Sequence, residues 1–326
     1  MQVVTLPLTP PLKPQLALSR KELPVAEGYS YEIKLDGFRC LAFVDGDEVF
    51  LQSRNGRPLG RYFPELGFAT GRYVLDGEIV VRGAEGREDF DALGQRVHPA
   101  ASRVERLAVE TPAVYVAFDL LAHDDDTLLE RPFIERRAAL DRLASLASEE
   151  KTSVELMQTT SVADDARLWL VSAEGVIAKE RTAPYRPGER KGMIKVKRVR
   201  TIDAVVVGWR PGKEPGTVGA LILGLYEEAP NGPILRVVGH CSGFTAAEKR
   251  RLVDFLRPFE TGEHGTADPS RWSAGRELEW IALRPELVVE IDFDHVSAGR
   301  IRHGAKLRRW REDKDPRDCS FEQLST

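Results

Sequence analysis

Lys34 stands in the hexapeptide Lys34-Leu35-Asp36-Gly37-Phe38-Arg39, directly after the alternating run Tyr29-Ser30-Tyr31-Glu32-Ile33. The alternation predicts a strand, so the lysine falls at a strand end. That is a poor place for a solvated surface charge and a good place for a nucleophile that must be held still. Asp36-Gly37 predicts a turn after it, because glycine tolerates positive φ and aspartate bonds its own local backbone. Gly37 also lets the main chain approach a bulky ligand. A lysine before a D-G hairpin turn arises equally without any chemistry, so the hexapeptide alone leaves both readings open.

Further short motifs follow in order. Ser53-Arg54-Asn55-Gly56 comes after a strand-like stretch over 48–52. Leu75-Asp76-Gly77-Glu78 places a carboxylate at a strand start, and by itself is also a plain β-turn. The apolar strand 115–121 holds Phe118 and Asp119. Core is the commoner fate of such a phenylalanine, and Asp119 is either near a site or a helix or turn cap. Glu174-Gly175-Val176-Ile177-Ala178-Lys179 carries an acid and a lysine. Lys195 and Lys197 share one face of a strand, since side chains alternate with period two. Such lysines can offset charge on a phosphate, or simply deter aggregation at a sheet edge. Arg311-Glu312-Asp313-Lys314 comes near the end.

This ordered series, spanning about 6–324, resembles the covalent nucleotidyltransferases: ATP-dependent DNA ligases, RNA ligases and mRNA capping enzymes. The chain length and the text from Leu283 to Arg311 look most like the compact bacterial ATP-dependent ligases of the ligase C kind. The resemblance implies that Lys34 takes AMP from ATP, for which it must be neutral, so that neighbouring cations or desolvation are needed to lower its pKa. It implies that Glu174 faces a divalent metal, Mg²⁺ or Mn²⁺, with Asp36 as a second contributor. Glu78 is implied to bond the ribose hydroxyls, Arg39 to grip the sugar, and Phe118 and Ile177 to close on the adenine. Glu32, on the strand face of Lys34, is implied to meet the adenine amino group. Lys195 and Lys197 are implied at the α-phosphate, Arg54 at the 5′-phosphate of a nick, and Arg311 and Lys314 on the β,γ-phosphates. The segment 239–244 matches a glycine-rich turn near DNA.

The implied activity is nick sealing in duplex DNA during repair, through a lysyl-AMP and a DNA–adenylate. The implied protein is a cytoplasmic monomer at the bacterial nucleoid, brought to breaks by repair proteins. Two features depart from the family pattern. Met193 stands where a tryptophan is usual, and with only 33 residues before Lys34, the helical DNA-binding domain of larger ligases is expected to be absent. RNA ligation or mRNA capping is the alternative within the superfamily, disfavoured by Glu32 and by the C-terminal text. A catalytically idle nucleic-acid-binding module is the alternative from another class. The joint presence of Lys34, Glu174, Lys195 and Lys197 argues against it.

The elements that must position these residues are legible in outline. A length of 326 residues corresponds to about two domains. From Tyr29 to about Arg198, short strands alternate with helices expected over 89–97, 133–147 and 164–173, an α+β arrangement. The family form is a nucleotidyltransferase domain of ATP-grasp-like antiparallel sheets with helices. From Thr201 the pattern becomes strands over 204–209, 220–226, 234–239, 287–293 and 305–310 with one helix over 245–256, which suits an OB-fold barrel. The expected domains are 1–200 and 201–326, with a hinge over 198–203, a proline-rich extended lead-in over 1–28 and an exposed loop over 260–269. With a net charge of −4, any nucleic-acid surface must come from local clusters, such as 186–200 and 300–311, although such runs are otherwise solvated faces. Cys40, Cys241 and Cys319 form no CxxC pair and fit a reducing cytosol. No run approaches about 18 apolar residues, so no membrane span is expected.

Overall fold

The computed structural model describes residues 6–83, 86–98, 100–146, 152–267, 278–294, 296–297, 299–301 and 304–325. The chain divides into two compact units, Met1–Arg198 and Val199–Thr326. In the first, the strands in chain order are β1 (Leu18–Arg20), β2 (Tyr29–Ile33), β3 (Phe38–Gly46), β4 (Glu48–Ser53), β5 (Gly71–Val81), β6 (Ala113–His123), β7 (Asp126–Thr127), β8 (Val154–Leu156), β9 (Thr159–Thr160), β10 (Gly175–Glu180) and β11 (Met193–Lys197). The helices are α1 (Phe90–Arg96), α2 (Ala101–Glu110), α3 (Phe133–Leu146) and α4 (Ala163–Ser172).

Two sheets form among the described residues of this unit. One has the order β1-β11-β10-β2-β9, and the other runs β4-β3-β5-β6-β7 with β8 beside β6. The first sheet buries Tyr31, Val176 and Ala178 against Ala166 of α4. The second buries Cys40, Ala42, Leu75, Ile79, Tyr115 and Leu120 in a core that takes in Leu93 of α1 and Leu140 of α3. Such apolar burial is the main favourable term holding each layer. Asp119 is not a cap, and its charge is felt at Glu32. Its carboxylate forms a two-pronged pair with Arg136 of α3, at 2.8 and 2.9 Å, fully buried between β6 and the helix.

Three local expectations are corrected. Asp36-Gly37 is not a hairpin turn: β2 and β3 belong to different sheets, and residues 34–37 cross from one to the other. Gly37 is not needed for positive φ or for a ligand. A Cβ there would run into the carbonyl oxygen of Ile79 and lie 2.7 Å from Glu78 Cγ, so the glycine lets the crossover lie flat on β5. Asp76-Gly77-Glu78 is neither a turn nor a strand start but the middle of β5, paired on both sides by β3 and β6. Within the extended lead-in, Leu18–Arg20 joins the first sheet as a parallel edge strand on β11. Helix α2, which buries Val104 and Leu107, was not expected from the sequence.

The second unit holds β12 (Arg200–Pro211), β13 (Val218–Glu227), β14 (Ile234–Cys241), β15 (Glu260–Ala267), β16 (Leu278–Leu283), β17 (Val288–Phe293), β18 (Val296–Ser297), β19 (Arg300–Ile301), β20 (Lys306–Trp310) and α5 (Ala246–Leu256). It is an OB-fold barrel. Long β12 pairs β13 along one edge; along the other it pairs β17 with its first half and β16 with its second. A bulge between Val206 and Gly208 bends it at the changeover. Thr245 and Glu248 form a capping box that starts α5.

The segment 260–267 is a strand, not a loop. Its polar text pairs with β16, and Gly265 lies directly against the Trp280 ring. Pro269 lies outside the described residues. Of the expected hinge, Arg198 donates its N–H to the Glu174 carbonyl and Arg200 already pairs with Phe293, so Val199 alone lies between two anchored residues.

Candidate active site

The crossover at 34–37 makes a cleft between the two sheets of the first unit, and strand register fills it. In the first sheet, β10 sets Ile177 opposite Glu32 of β2 and, on its other side, opposite Lys195 of β11. Glu32, Ile177 and Lys195 therefore form one row across three strands. The next row starts at Lys34, whose N–H bonds the Gly175 carbonyl at 2.9 Å, and ends at Lys197, opposite Gly175. The second sheet contributes Arg39 of β3, directly opposite Glu78 of β5, and Phe118 of β6.

Glu32, Lys34, Arg39, Arg54, Glu78, Phe118, Ile177 and Lys195 line the cleft together, with Leu35 and Met157 supplying apolar wall. Glu174 sits at the loop before β10, with its carboxylate 3.7 Å from the Lys34 ammonium and 3.9 Å from that of Lys197. Asp36, like Glu174 and Lys197, is not among the lining residues. Its charge is felt at Glu78, whose carboxyl it helps to push up. Arg311 and Lys314 belong to the second unit. There Arg311 donates to both oxygens of Asp203, at 2.9 and 3.0 Å, and forks onto Asp313 at 2.8 Å twice. Lys314 lies 3.9 Å from Asp318.

Arg39 is fixed before any ligand arrives. Its Nε and Nη2 donate to the two oxygens of buried Asp76 at 2.6 Å each, and the Tyr185 hydroxyl donates to the same carboxylate at 2.6 Å. The Arg39 guanidinium lies 4.5 Å from the Phe118 ring centre. Paired charges of this kind orient a side chain more than they stabilise a fold.

The electrostatics divide the cleft into two regions. Burial pushes the Glu78 carboxyl up to about 7, against the opposing pull of Arg39 and Lys34. Burial also lowers the pKa of Lys195, helped by the positive charges of Lys197, Lys34, Arg54 and Arg190. Four of these cations, Lys34, Arg54, Arg190 and Lys195, line the cleft, an arrangement able to attract phosphate oxygens. Burial raises the Glu32 carboxyl as well, and Lys179 pulls it back.

The Glu78 environment sets a pH dependence. Its folded pKa lies above the ordinary 4.5, so between those values the folded protein holds a proton that the unfolded chain has released. Stability therefore falls as pH rises from about 4.5 to about 7. Glu78→Gln removes this contribution. The variant gains roughly 3 kcal/mol relative to the parent between pH 4 and pH 8, read from denaturant unfolding of both proteins across that range. A parallel pH dependence in the two proteins refutes the assignment.

Sequence reading missed Lys179, Asp76 and Tyr185 as site residues. Lys179 had a signal: it lies two residues after Ile177 on β10, hence on the same face. Its ammonium bonds Glu32 at 2.9 and 2.8 Å and the Phe118 carbonyl at 3.2 Å. Asp76 was visible only as part of a supposed turn. Tyr185, in a loop more than a hundred residues away, had none. Met193, in place of the usual tryptophan, is buried and lines the cleft.

The family model "ATP dependent DNA ligase domain" matches residues 14–197, and "ATP dependent DNA ligase C terminal region" matches 214–314. The chain is 44% identical to DNA ligase C of Mycobacterium tuberculosis over 347 residues, covering 98% of this chain and 95% of that one. It is 43% identical to DNA ligase C1 of Mycolicibacterium smegmatis, covering 98% and 96%. Among solved structures, mycobacterial DNA ligase D complexed with ATP and MES aligns with a TM-score of 0.51 at 29% identity, over 94% of this chain and 97% of that one.

Proposed function

The chain belongs to the ATP-dependent DNA ligases, and from that premise we propose that Lys34 is the residue that carries AMP. The observation that carries this reading is its place: a lysine pinned at the sheet crossover, inside the cleft, amid converging cations. Its amine attacks the α-phosphorus of ATP. The N–P bond forms, the bond to the β-phosphate oxygen breaks, pyrophosphate leaves and the lysine gives up a proton. An oxygen of the 5′-phosphate at the nick then attacks the AMP phosphorus, and the lysine departs and regains its proton. Finally the 3′-hydroxyl attacks the 5′-phosphorus and AMP leaves.

The other residues position and neutralise. Lys195 and Lys197 face the α-phosphate, and Arg54 takes the 5′-phosphate. Phe118 and Ile177 hold the adenine, Glu32 accepts from its amino group, and Arg39 and Glu78 hold the sugar. Arg311, fixed by Asp203 and Asp313, acts with Lys314 on the β,γ-phosphates. Mg²⁺ suits the carboxylate of Glu174, because this ion binds through one or two carboxylates plus substrate phosphates. Asp36, which like Glu174 lies outside the residues lining the cleft, is the second proposed contributor. When bound, the ion offsets charge on the transferring phosphoryl group. The ligated molecule is nicked duplex DNA.

The test is a nick-sealing gel after incubation with ATP, GTP or NAD in turn, paired with intact-mass measurement. Sealing with ATP alone, with a protein adduct of one AMP, is the expected result. Sealing driven by NAD, or no adduct with any nucleotide, overturns the reading.

A further inference from the structure

A second cleft opens beside the first, entirely within the first unit. It is lined by Pro11, Leu12, Lys13, Pro14, Leu16, Arg54, Asn55, Gly56 and Gly188, and it shares Pro14, Leu16 and Arg54 with the nucleotide cleft. One wall is the lead-in segment, which is fastened at several points. The Leu12 N–H and carbonyl both bond the Gln52 side chain, at 3.0 and 2.6 Å. The Gln15 N–H donates to the Tyr185 hydroxyl at 2.9 Å, and Leu16 bonds Glu189 at 2.8 Å. Lys13 therefore projects from a backbone held on both sides. Its stem packs on Gly188, whose φ is +75° and where an added Cβ would lie 3.3 Å from Lys13 Cδ.

Of the nearby cations, Arg186 pairs with Glu130 at 2.8 Å and Lys191 with Glu189 at 2.8 Å, while Arg190 of the adjoining cleft has no ion pair among the described residues. Among the described residues, Lys13 and Arg54 have neither an ion pair nor a side-chain hydrogen bond, although both are exposed. These two unneutralised cations line the cleft together with Asn55 and Gly56. That combination suits an anionic group, and the ligase reading supplies one in the phosphates of DNA.

We propose that this cleft is a phosphodiester subsite, in which Lys13 contacts the DNA backbone next to the phosphate held by Arg54. It rests on the ligase reading above, and it makes the pinned lead-in part of the DNA-binding surface. The shared Arg54 gives the direction. A strand whose terminal phosphate lies at Arg54 on the nucleotide-cleft side continues naturally into the second cleft. Pyrophosphate leaving the first step is the other source of phosphate that the same cations could hold.

The test compares the parent, Lys13→Gln and Lys13→Arg. Nicked-duplex binding is measured across a salt series, together with self-adenylation by ATP and its reversal by added pyrophosphate. Lys13→Gln is expected to shallow the slope of log affinity against log salt by about 0.9, the value of one phosphate contact. It is expected to raise the KM for nicked DNA about threefold or more, with kcat and both nucleotide reactions unchanged. Lys13→Arg keeps the parental slope. An unchanged slope in Lys13→Gln overturns the subsite. Slowed pyrophosphate reversal with normal DNA binding also overturns it, by assigning the cleft to the leaving group. Failure of the parent to form AMP adduct or to seal would instead refute the ligase reading itself.

Discussion

Lys34→Ala loses label transfer from α-labelled ATP to protein by about four orders of magnitude or more, the scale of removing a covalent nucleophile. It keeps weak sealing of a nick that already carries AMP, because the third step forms no bond to lysine. The structure makes the substitution mild in every other respect. Lys34 lies beyond the end of β2, its side chain is 19% exposed, and its partner Glu174 still has Lys197 at 3.9 Å. Its backbone bond to Gly175 does not depend on the side chain. The fold therefore survives, and loss of adduct reports chemistry rather than unfolding. Both reactions are read on one gel, with circular dichroism of the variant beside them. Normal adduct formation by the variant would place the nucleophile elsewhere.

Lys179→Met is expected to be the most damaging single change for stability in this region. Lys179 and Glu32 are 7% and 2% exposed, and they bond each other through both carboxylate oxygens. Removing the cation leaves a carboxylate buried without its counter-charge, which costs roughly 3–5 kcal/mol. The sign with pH follows from Glu32. Burial already holds its folded pKa above the ordinary value, and Lys179 is what pulls it down. Without Lys179 the pKa climbs further, so protonated Glu32 relieves the penalty in acid and the variant loses stability as pH rises. Unfolding midpoints at pH 5 and pH 8 check this, with Glu32→Gln/Lys179→Met as the control that restores much of the loss. A penalty equal at both pH values, or a double variant no better than the single, would show that packing of the lysine stem matters and the charge does not. The ATP reaction is affected in the same variant, since Glu32 loses the partner that aims it.

The motifs were legible because their chemistry is local. A lysine after an alternating strand, paired lysines two residues apart and an acid opening a strand each declare a residue type at a fixed spacing. Periodicity placed α1, α3, α4, α5 and the main barrel strands. It missed α2, although that helix buries Val104 and Leu107 on one face. It failed again on 260–267, where pairing with β16 overrides polar text. Local turn chemistry misled at Asp36-Gly37 and Asp76-Gly77. Both glycines answer to a neighbouring strand: a Cβ at Gly37 would meet Ile79 and Glu78, and one at Gly77 would meet the Tyr115 ring at 2.5 Å.

From the sequence alone came the family, the reaction, the lysine proposed as nucleophile and the list of charged residues around it, because these depend on which side chains occur and in what order. Tertiary structure alone decided which of them share one cleft. The register of β2, β10 and β11 aligns Glu32 with Ile177 and Lys195, both more than a hundred residues further along the chain. The pairing of Lys179 with Glu32, the hold of Asp76 and Tyr185 on Arg39, and the unneutralised Lys13 beside Arg54 depend on the same long-range pairing. The physical reason is that strand partners are chosen by hydrogen bonding and burial between distant segments, and no local pattern encodes which two strands will meet.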